Sequence, residues 1–214
     1  SEFLDVEQTQ IYMSLIGALQ WAVSIGRFDI QTVVMTMSAF RVVPCLGHLE
    51  RFKRIFGYLV KMDGAVIRVR TEIPEYSNLP DLQYGWSRSV YGDTSEIIPL
   101  DAPKPRGKLV RFAHYVDANL MHDVLSGKSV TDILHFANQA PIDWYSKKRA
   151  TIETTTYGSE FVAACTCVEH AIDLRNTFRY LGARCSYEDS NYMLGDNKSV
   201  VDSSVTPHAT LNKR

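Results

Sequence analysis

Three acidic side chains stand in settings that set them apart from ordinary surface acids. Asp117 ends an apolar run (LVRFAHYVD, residues 109 to 117), Glu160 opens an apolar helix-like stretch (EFVAACTCVEHAIDLRNTF, residues 160 to 178), and Asp196 ends a strand-like run (YMLGD, residues 192 to 196). A carboxylate at the end of a buried strand is costly without a partner, because leaving water penalises its charge. Three of them converging at one sheet edge repel each other, and a divalent cation that prefers hard oxygen ligands relieves that repulsion. Such a site suits phosphodiester hydrolysis assisted by two metal ions.

Other chemistry-bearing residues are weaker. Lys147, Lys148 and Arg149 form a basic run read as either a solvated turn or a phosphate contact, and Lys128, Asn197 and Ser199 are lesser candidates for the same contact. His114 lies three residues before Asp117, so strand alternation puts it on the opposite face, where it reads as a packed histidine and not a catalytic base. His122 and His170 have no stronger case. The spacing Cys165-x-Cys167-x-x-His170 does not read as a zinc site, since residues two apart on a helix face different ways. Cys165 is instead expected on a buried stripe with Phe161, Val168 and Ile172. Together with Cys45 and Cys185 the cysteines form no disulfide framework and point to a reducing, intracellular setting.

The elements that must position these groups fall into three parts. Residues 1 to 72 predict a small helical segment. Asp5 and Gln8 have the spacing of a capping box, and Tyr12, Leu15, Ile16, Leu19 and Ala22 then repeat at helical spacing. Asp29 is expected to cap a second helix bearing Ile30, Val33, Val34, Met37 and Phe40. After Pro44 a third helix carries Leu49, Phe52, Phe56 and Leu59 on one side and Arg51, Lys53 and Arg54 largely elsewhere. Residues 65 to 71 (AVIRVRT) alternate apolar and basic side chains like a half-buried strand.

Residues 73 to 107 hold Pro74, Pro80, Pro99, Pro103 and Pro105 without a sustained period and read as a linker or wrapping segment, in which Trp86 and Tyr91 argue against a wholly free chain. Residues 108 to 214 predict an α/β domain. Its strands are expected at 109 to 117, about 128 to 138, 142 to 147 and 190 to 196, with a turn from Asn138 to Pro141. A long helix is expected from about 157 to 180, ended at Gly182, and a short helix from about Asn197.

Composition bounds the partners. The 214 residues are 45% hydrophobic and carry a formal net charge of −1, so nucleic-acid binding has to come from local patches and not from bulk charge. No apolar run approaches the roughly 20 residues that span a bilayer, so no membrane partner is expected. The sequence opens with no leader-like pattern, and the sequon at Asn197-Lys-Ser199 is expected to stay unused.

In its second half the chain resembles the ribonuclease H region of copia-type LTR retrotransposon polyproteins. The blocks run in order. The family's Tyr-x-Asp-Ala-Asp reads Tyr115-Val-Asp117-Ala118-Asn119, and Lys/Arg-Ser-x-Ser/Thr-Gly reads Lys128-Ser129-Val-Thr131-Asp132. Ala-Pro-Ile-x-Trp-x-Ser-Lys-Lys is kept almost whole from Ala140 to Lys148, Thr-Glu-Ala-Glu-Tyr-Val-Ala reads Tyr157-Gly158-Ser159-Glu160-Phe161-Val162-Ala163, and Cys-Asp-Asn-x-Ser reads Gly195-Asp196-Asn197-Lys198-Ser199. The first half is similar to the thumb or connection part of the same polyproteins through Tyr12-Met-Ser14-Leu15-Ile16-Gly17-Ala18-Leu19, Arg27-Phe-Asp29-Ile30 and the basic helix ending in Tyr58-Leu59.

The resemblance implies an α/β, ribonuclease H-like mixed sheet of five strands with flanking helices, preceded by the helical thumb or connection segment. It implies Asp117, Glu160 and Asp196 as catalytic, metal-binding residues holding two Mg2+ ions, with Mn2+ as a substitute. The implied partners are an RNA–DNA hybrid, gripped by Lys128, Lys147, Lys148, Arg149, Asn197 and Ser199, and the rest of the reverse transcriptase polyprotein. The implied location is the cytoplasm or a virus-like particle. Asn119, Asp132 and Gly158 depart from the family blocks, and no Asp-Asp dipeptide exists for polymerisation. A fourth metal-binding acid is expected beyond Arg214, and Asp202 is too near Asp196 to replace it. The alternative is a catalytically inert connection-type module that binds hybrid or a partner subunit.

Overall fold

The computed structural model describes residues 2–79, 97–185 and 191–206. Trp86 and Tyr91 fall outside them. Contacts divide the chain into two compact units, Ser1–Arg68 with Tyr145–Lys148, and Val69–Trp144 with Arg149–Arg214. The helical unit thus closes four residues before the expected boundary at 72, and the described parts of the proline-rich stretch group with the second unit.

The first unit holds α1 (Val6–Ser24), a 3-10 turn (Phe28–Ile30), α2 (Gln31–Ser38) and α3 (Leu46–Lys61). Asp5 caps α1 by accepting from the Gln8 N–H at 2.8 Å, while the Gln8 side chain accepts from the Asp5 N–H at 3.2 Å, closing the expected box. The core gathers Tyr12, Ile16, Leu19, Ile30, Val34, Met37, Phe52 and Ile55. Tyr12 and Phe52 meet edge to face with ring centroids 4.8 Å apart. The buried Tyr12 hydroxyl donates to the Met37 carbonyl at 2.8 Å.

Two expectations fail in this unit. Asp29 does not cap α2, because its carboxylate is taken by the Arg27 guanidinium at 2.9 Å and the Tyr58 hydroxyl at 3.0 Å. Residues 65 to 71 form no strand and are exposed, Val66 and Val69 about three-quarters so. Alternation makes a strand only where a neighbour supplies the ladder, and among the described residues none pairs here.

The second unit is mixed α/β. Its strands are β1 (Arg106–Val110), β2 (Phe112–Asp123), β3 (Lys128–Ala137), β4 (Ala140–Lys148, whose last four residues group with the helical unit), β5 (Ala183–Cys185) and β6 (Tyr192–Leu194). The helices α4 (Thr156–Tyr180) and α5 (Lys198–Val205) complete it. A four-stranded sheet runs β4-β3-β2-β6, with β2 antiparallel to β3 and parallel to β6, and β1 pairs in parallel with β5 as a separate ribbon. The sheet therefore has four strands among the described residues, where five were expected. The first expected strand is split at Arg111 into β1 and β2, and β2 runs on to Asp123.

Two residues turn the chain sharply. Asn138 adopts a left-handed φ of 55° and its side chain accepts from the Arg111 N–H at 2.9 Å, which sets the β3–β4 turn. Gly182, with φ of 79°, follows the end of α4 and releases the chain into β5.

The helix α4 packs on β2 with Ala163, Ala164 and Cys167 buried. The expected inward stripe of Phe161, Cys165, Val168 and Ile172 instead faces out, and all four are exposed. Small side chains let the helix approach the sheet closely, so they win the buried face over the larger apolar ones.

Replacing Tyr12 by phenylalanine removes a buried hydrogen bond, while the Met37 carbonyl keeps the one it accepts from the Phe40 N–H at 3.1 Å. It is expected to lower unfolding free energy by about 1 kcal/mol in urea titrations, with an unchanged m-value.

Candidate metal centre

The parallel pairing of β2 with β6 sets the site. Tyr115 lies opposite Leu194 where that pairing ends, and Asp117 and Asp196 each follow two residues later, so the two carboxylates emerge level with each other. Asp117 is therefore in the middle of β2 and not at the strand's end, as its place in the apolar run implied. Gly195 leads into the site, and a Cβ there would lie 3.6 Å from Val116 Cγ1, so the chain crosses close to β2.

Glu160 comes from the second turn of α4, whose start is fixed by the Thr155 hydroxyl accepting from the Gly158 N–H at 3.0 Å. Carboxylate oxygens of Asp117, Glu160 and Asp196 all lie within 4.8 Å of one another. Glu160 is 7% exposed, whereas Asp117 and Asp196 reach solvent. The trio thus has a buried floor and an open mouth.

Burial and mutual repulsion act on the cluster. Burial, and then the neighbouring Asp196 charge, hold the Asp117 carboxyl above its ordinary value, against a hydrogen bond from the Ala118 N–H. Asp132, directly across the β2–β3 ladder, adds to the same effect. Burial, then Asp117 and Asp196, raise Glu160 likewise. Three hard oxygen donors at this spacing fit Mg2+ or Mn2+, whose charge offsets the repulsion.

Arg149 was expected to face phosphate from a basic turn. Its side chain is instead only 7% exposed and is used internally, donating to Thr131 Oγ1 at 2.7 Å and pairing with Glu153 at 3.4 Å. Burial alone would raise the Glu153 carboxyl, but a hydrogen bond from Thr151 and the Arg149 charge bring it below its ordinary value. The Arg149 charge also pulls the Glu160 carboxyl down, against the larger effects of burial and the two aspartates.

Among the other expected contacts, Lys147 and Lys148 belong to β4 itself and not to a turn, and Lys147 is exposed. Lys128 opens β3 half-buried. The Asn197 side chain caps α5 by accepting from the Val200 N–H at 3.2 Å, and Ser199 is exposed in the first turn of that helix. Asp202 pairs with Lys198 at 2.7 Å, apart from the trio.

The sequence reading missed a second cluster. His114 is a packed histidine as expected, but its Nδ1 lies 2.7 Å from His135 Nδ1, and His135, Asp143 and His170 bring their own ligand atoms within 4.8 Å of one another. Burial, then the partner His135, push the His114 imidazole down to about 4. The available signal was the strand parity that His135 and Asp143 obey in a hairpin; nothing local pointed to His170.

In metal-free buffer Asp196→Asn is expected to raise thermal stability at neutral pH by roughly 1 kcal/mol or less. Because the raised carboxyls hold their protons longer folded than unfolded, stability falls as pH rises from the ordinary carboxylate range through their raised values. The advantage of the variant should therefore be full at pH 7 and shrink on acidification toward pH 4, as read by calorimetry. Arg149→Met leaves Glu153 buried without its cation and is expected to cost about 3 kcal/mol in chemical denaturation, part of it recovered when Glu153→Gln is added.

No protein-family model matches the chain, and no solved structure matches it. The chain is similar to secreted RxLR effector protein 161 of Plasmopara viticola, with 23% identity over 161 residues that cover 75% of this chain and 89% of that protein.

Proposed function

We propose that this chain is the ribonuclease H portion of a copia-type retrotransposon reverse transcriptase, joined to a thumb or connection segment, and that it hydrolyses the RNA strand of RNA–DNA hybrids. The observation that carries this reading is the convergence of Asp117, Glu160 and Asp196, far apart in sequence, within 4.8 Å of one another. The mixed four-stranded sheet with flanking helices is compatible with a ribonuclease H-like fold. The ordered sequence blocks supply the family.

In this reading Asp117, Glu160 and Asp196 hold magnesium, which when bound lowers the pKa of an attacking water and neutralises charge at the scissile phosphate. Glu160 anchors the set from the buried side, and its position is fixed by the packing of α4 on β2. Arg149 offsets part of the charge on Glu160. Lys128, Lys147, Lys148 and Ser199 contact backbone phosphates and 2′-hydroxyls, which suits recognition that ignores base sequence. The four free thiols support an intracellular site of action, in cytoplasm or a virus-like particle.

A second reading is a non-cutting module that binds hybrid or a partner subunit. It is favoured by the gathering of three acids and not four among the described residues.

A labelled RNA–DNA hybrid incubated with the chain in Mg2+ or Mn2+ is expected to be cut in its RNA strand, and Asp196→Asn to slow cutting roughly 100-fold or more. Hybrid binding without cutting by either chain would overturn the nuclease reading in favour of the module.

A further inference from the structure

The sheet unit carries a second constellation that the nuclease reading does not use. His135 comes from β3, Asp143 from β4 and His170 from α4, and one ligand atom from each lies within 4.8 Å of the others. Their chemistry differs from that of the carboxylate trio. Two imidazoles and one carboxylate select a borderline cation such as zinc, where an all-oxygen set selects magnesium.

The His135 imidazole gives the independent indication. The residue is fully buried, its Nδ1 is engaged by His114 Nδ1 at 2.7 Å, and its Nε2 has no hydrogen-bond partner. Two ring nitrogens at that distance share one proton. When His135 Nδ1 donates it to His114, His135 Nε2 is left as a bare lone pair in a dry setting, which is costly unless something accepts it. Metal-ligating imidazoles are oriented in this way, with the second ring nitrogen donating to a fixed neighbour.

We infer that His135, Asp143 and His170 form a zinc-class cation site, with His114 as the positioning residue that fixes the tautomer of His135. The buried His135 is the fixed ligand, and the half-buried Asp143 and His170 close on the ion from the solvent side. Tetrahedral zinc with bonds of about 2.0 to 2.1 Å spaces its donors roughly 3.3 Å apart, so side-chain rotation by an ångström or so completes the set and leaves the fourth position to water. The ion ties α4 to two neighbouring strands. Its role is structural, and it stands whether or not the carboxylate trio cuts RNA.

The test uses Co2+ as a spectroscopic stand-in for zinc on the metal-stripped full chain at pH 7. One equivalent is expected to bind with visible absorption bands of a four-coordinate nitrogen and oxygen site. Zn2+ should displace it, and millimolar Mg2+ should not. Asp143→Asn and His170→Gln should each weaken binding at least about 100-fold while keeping the circular dichroism of the parent chain. Asp196→Asn should leave it unchanged. His114→Phe should weaken binding less than loss of a ligand does. Absence of the bands, bands that survive both Asp143→Asn and His170→Gln, or bands lost only with Asp196→Asn would overturn the site. Should one ligand variant fail to fold, the other decides.

Discussion

Three residues of parallel pairing between β2 and β6 bring two like charges side by side, and the rest of the sheet unit is arranged around that cost. Parallel strands cannot be joined by a tight turn, and here the connection passes through α4, which delivers Glu160 on its way. The same crossover that makes the pairing possible therefore supplies the third carboxylate. Solvent at the mouth, the Ala118 amide and the Arg149 guanidinium each remove part of the repulsion. A divalent cation held there, as proposed, would remove the remainder, so its binding would be linked to the stability of the fold.

Arg149 shows how a charge read as surface becomes internal. In sequence it is the last of three basic residues, and such runs are usually solvated. In the structure it follows the end of β4, where Thr131 and Glu153 wait as partners, so its guanidinium is desolvated with its charge balanced. A buried pair of this kind adds little net stability over an apolar substitute, but it holds a positive charge beside Ser159, the residue before Glu160, whose hydroxyl accepts from Arg149 Nη1 at 3.5 Å. Its value lies in position more than in strength.

Much of this was legible because the signals were local. The capping box at Asp5 and Gln8, the apolar spacing of the first helix, and the start of the last helix near Asn197 all depend on residues within a turn of one another. The three carboxylates were named from strand-end and helix-start context, and the structure brings them together. Most of what failed depended on partners far away in sequence. Asp29 is held by Tyr58, 29 residues on, as well as by its near neighbour Arg27. The 65 to 71 segment finds no pairing strand among the described residues, and the face that α4 buries is chosen by how closely it packs on β2. His170 joined His135 and Asp143 only through the crossover geometry, which no window of sequence contains.

The buried face of α4 separates two sulfurs that stand two residues apart. Cys167, fully enclosed against the sheet, has its thiol pushed up to about 12 by burial, so it stays protonated and unreactive across the range in which proteins work. Cys165 looks out to solvent on the opposite side. Oxidants and electrophiles that reach this helix meet one sulfur and are denied the other until the helix leaves the sheet, so damage to the second records that the domain has opened.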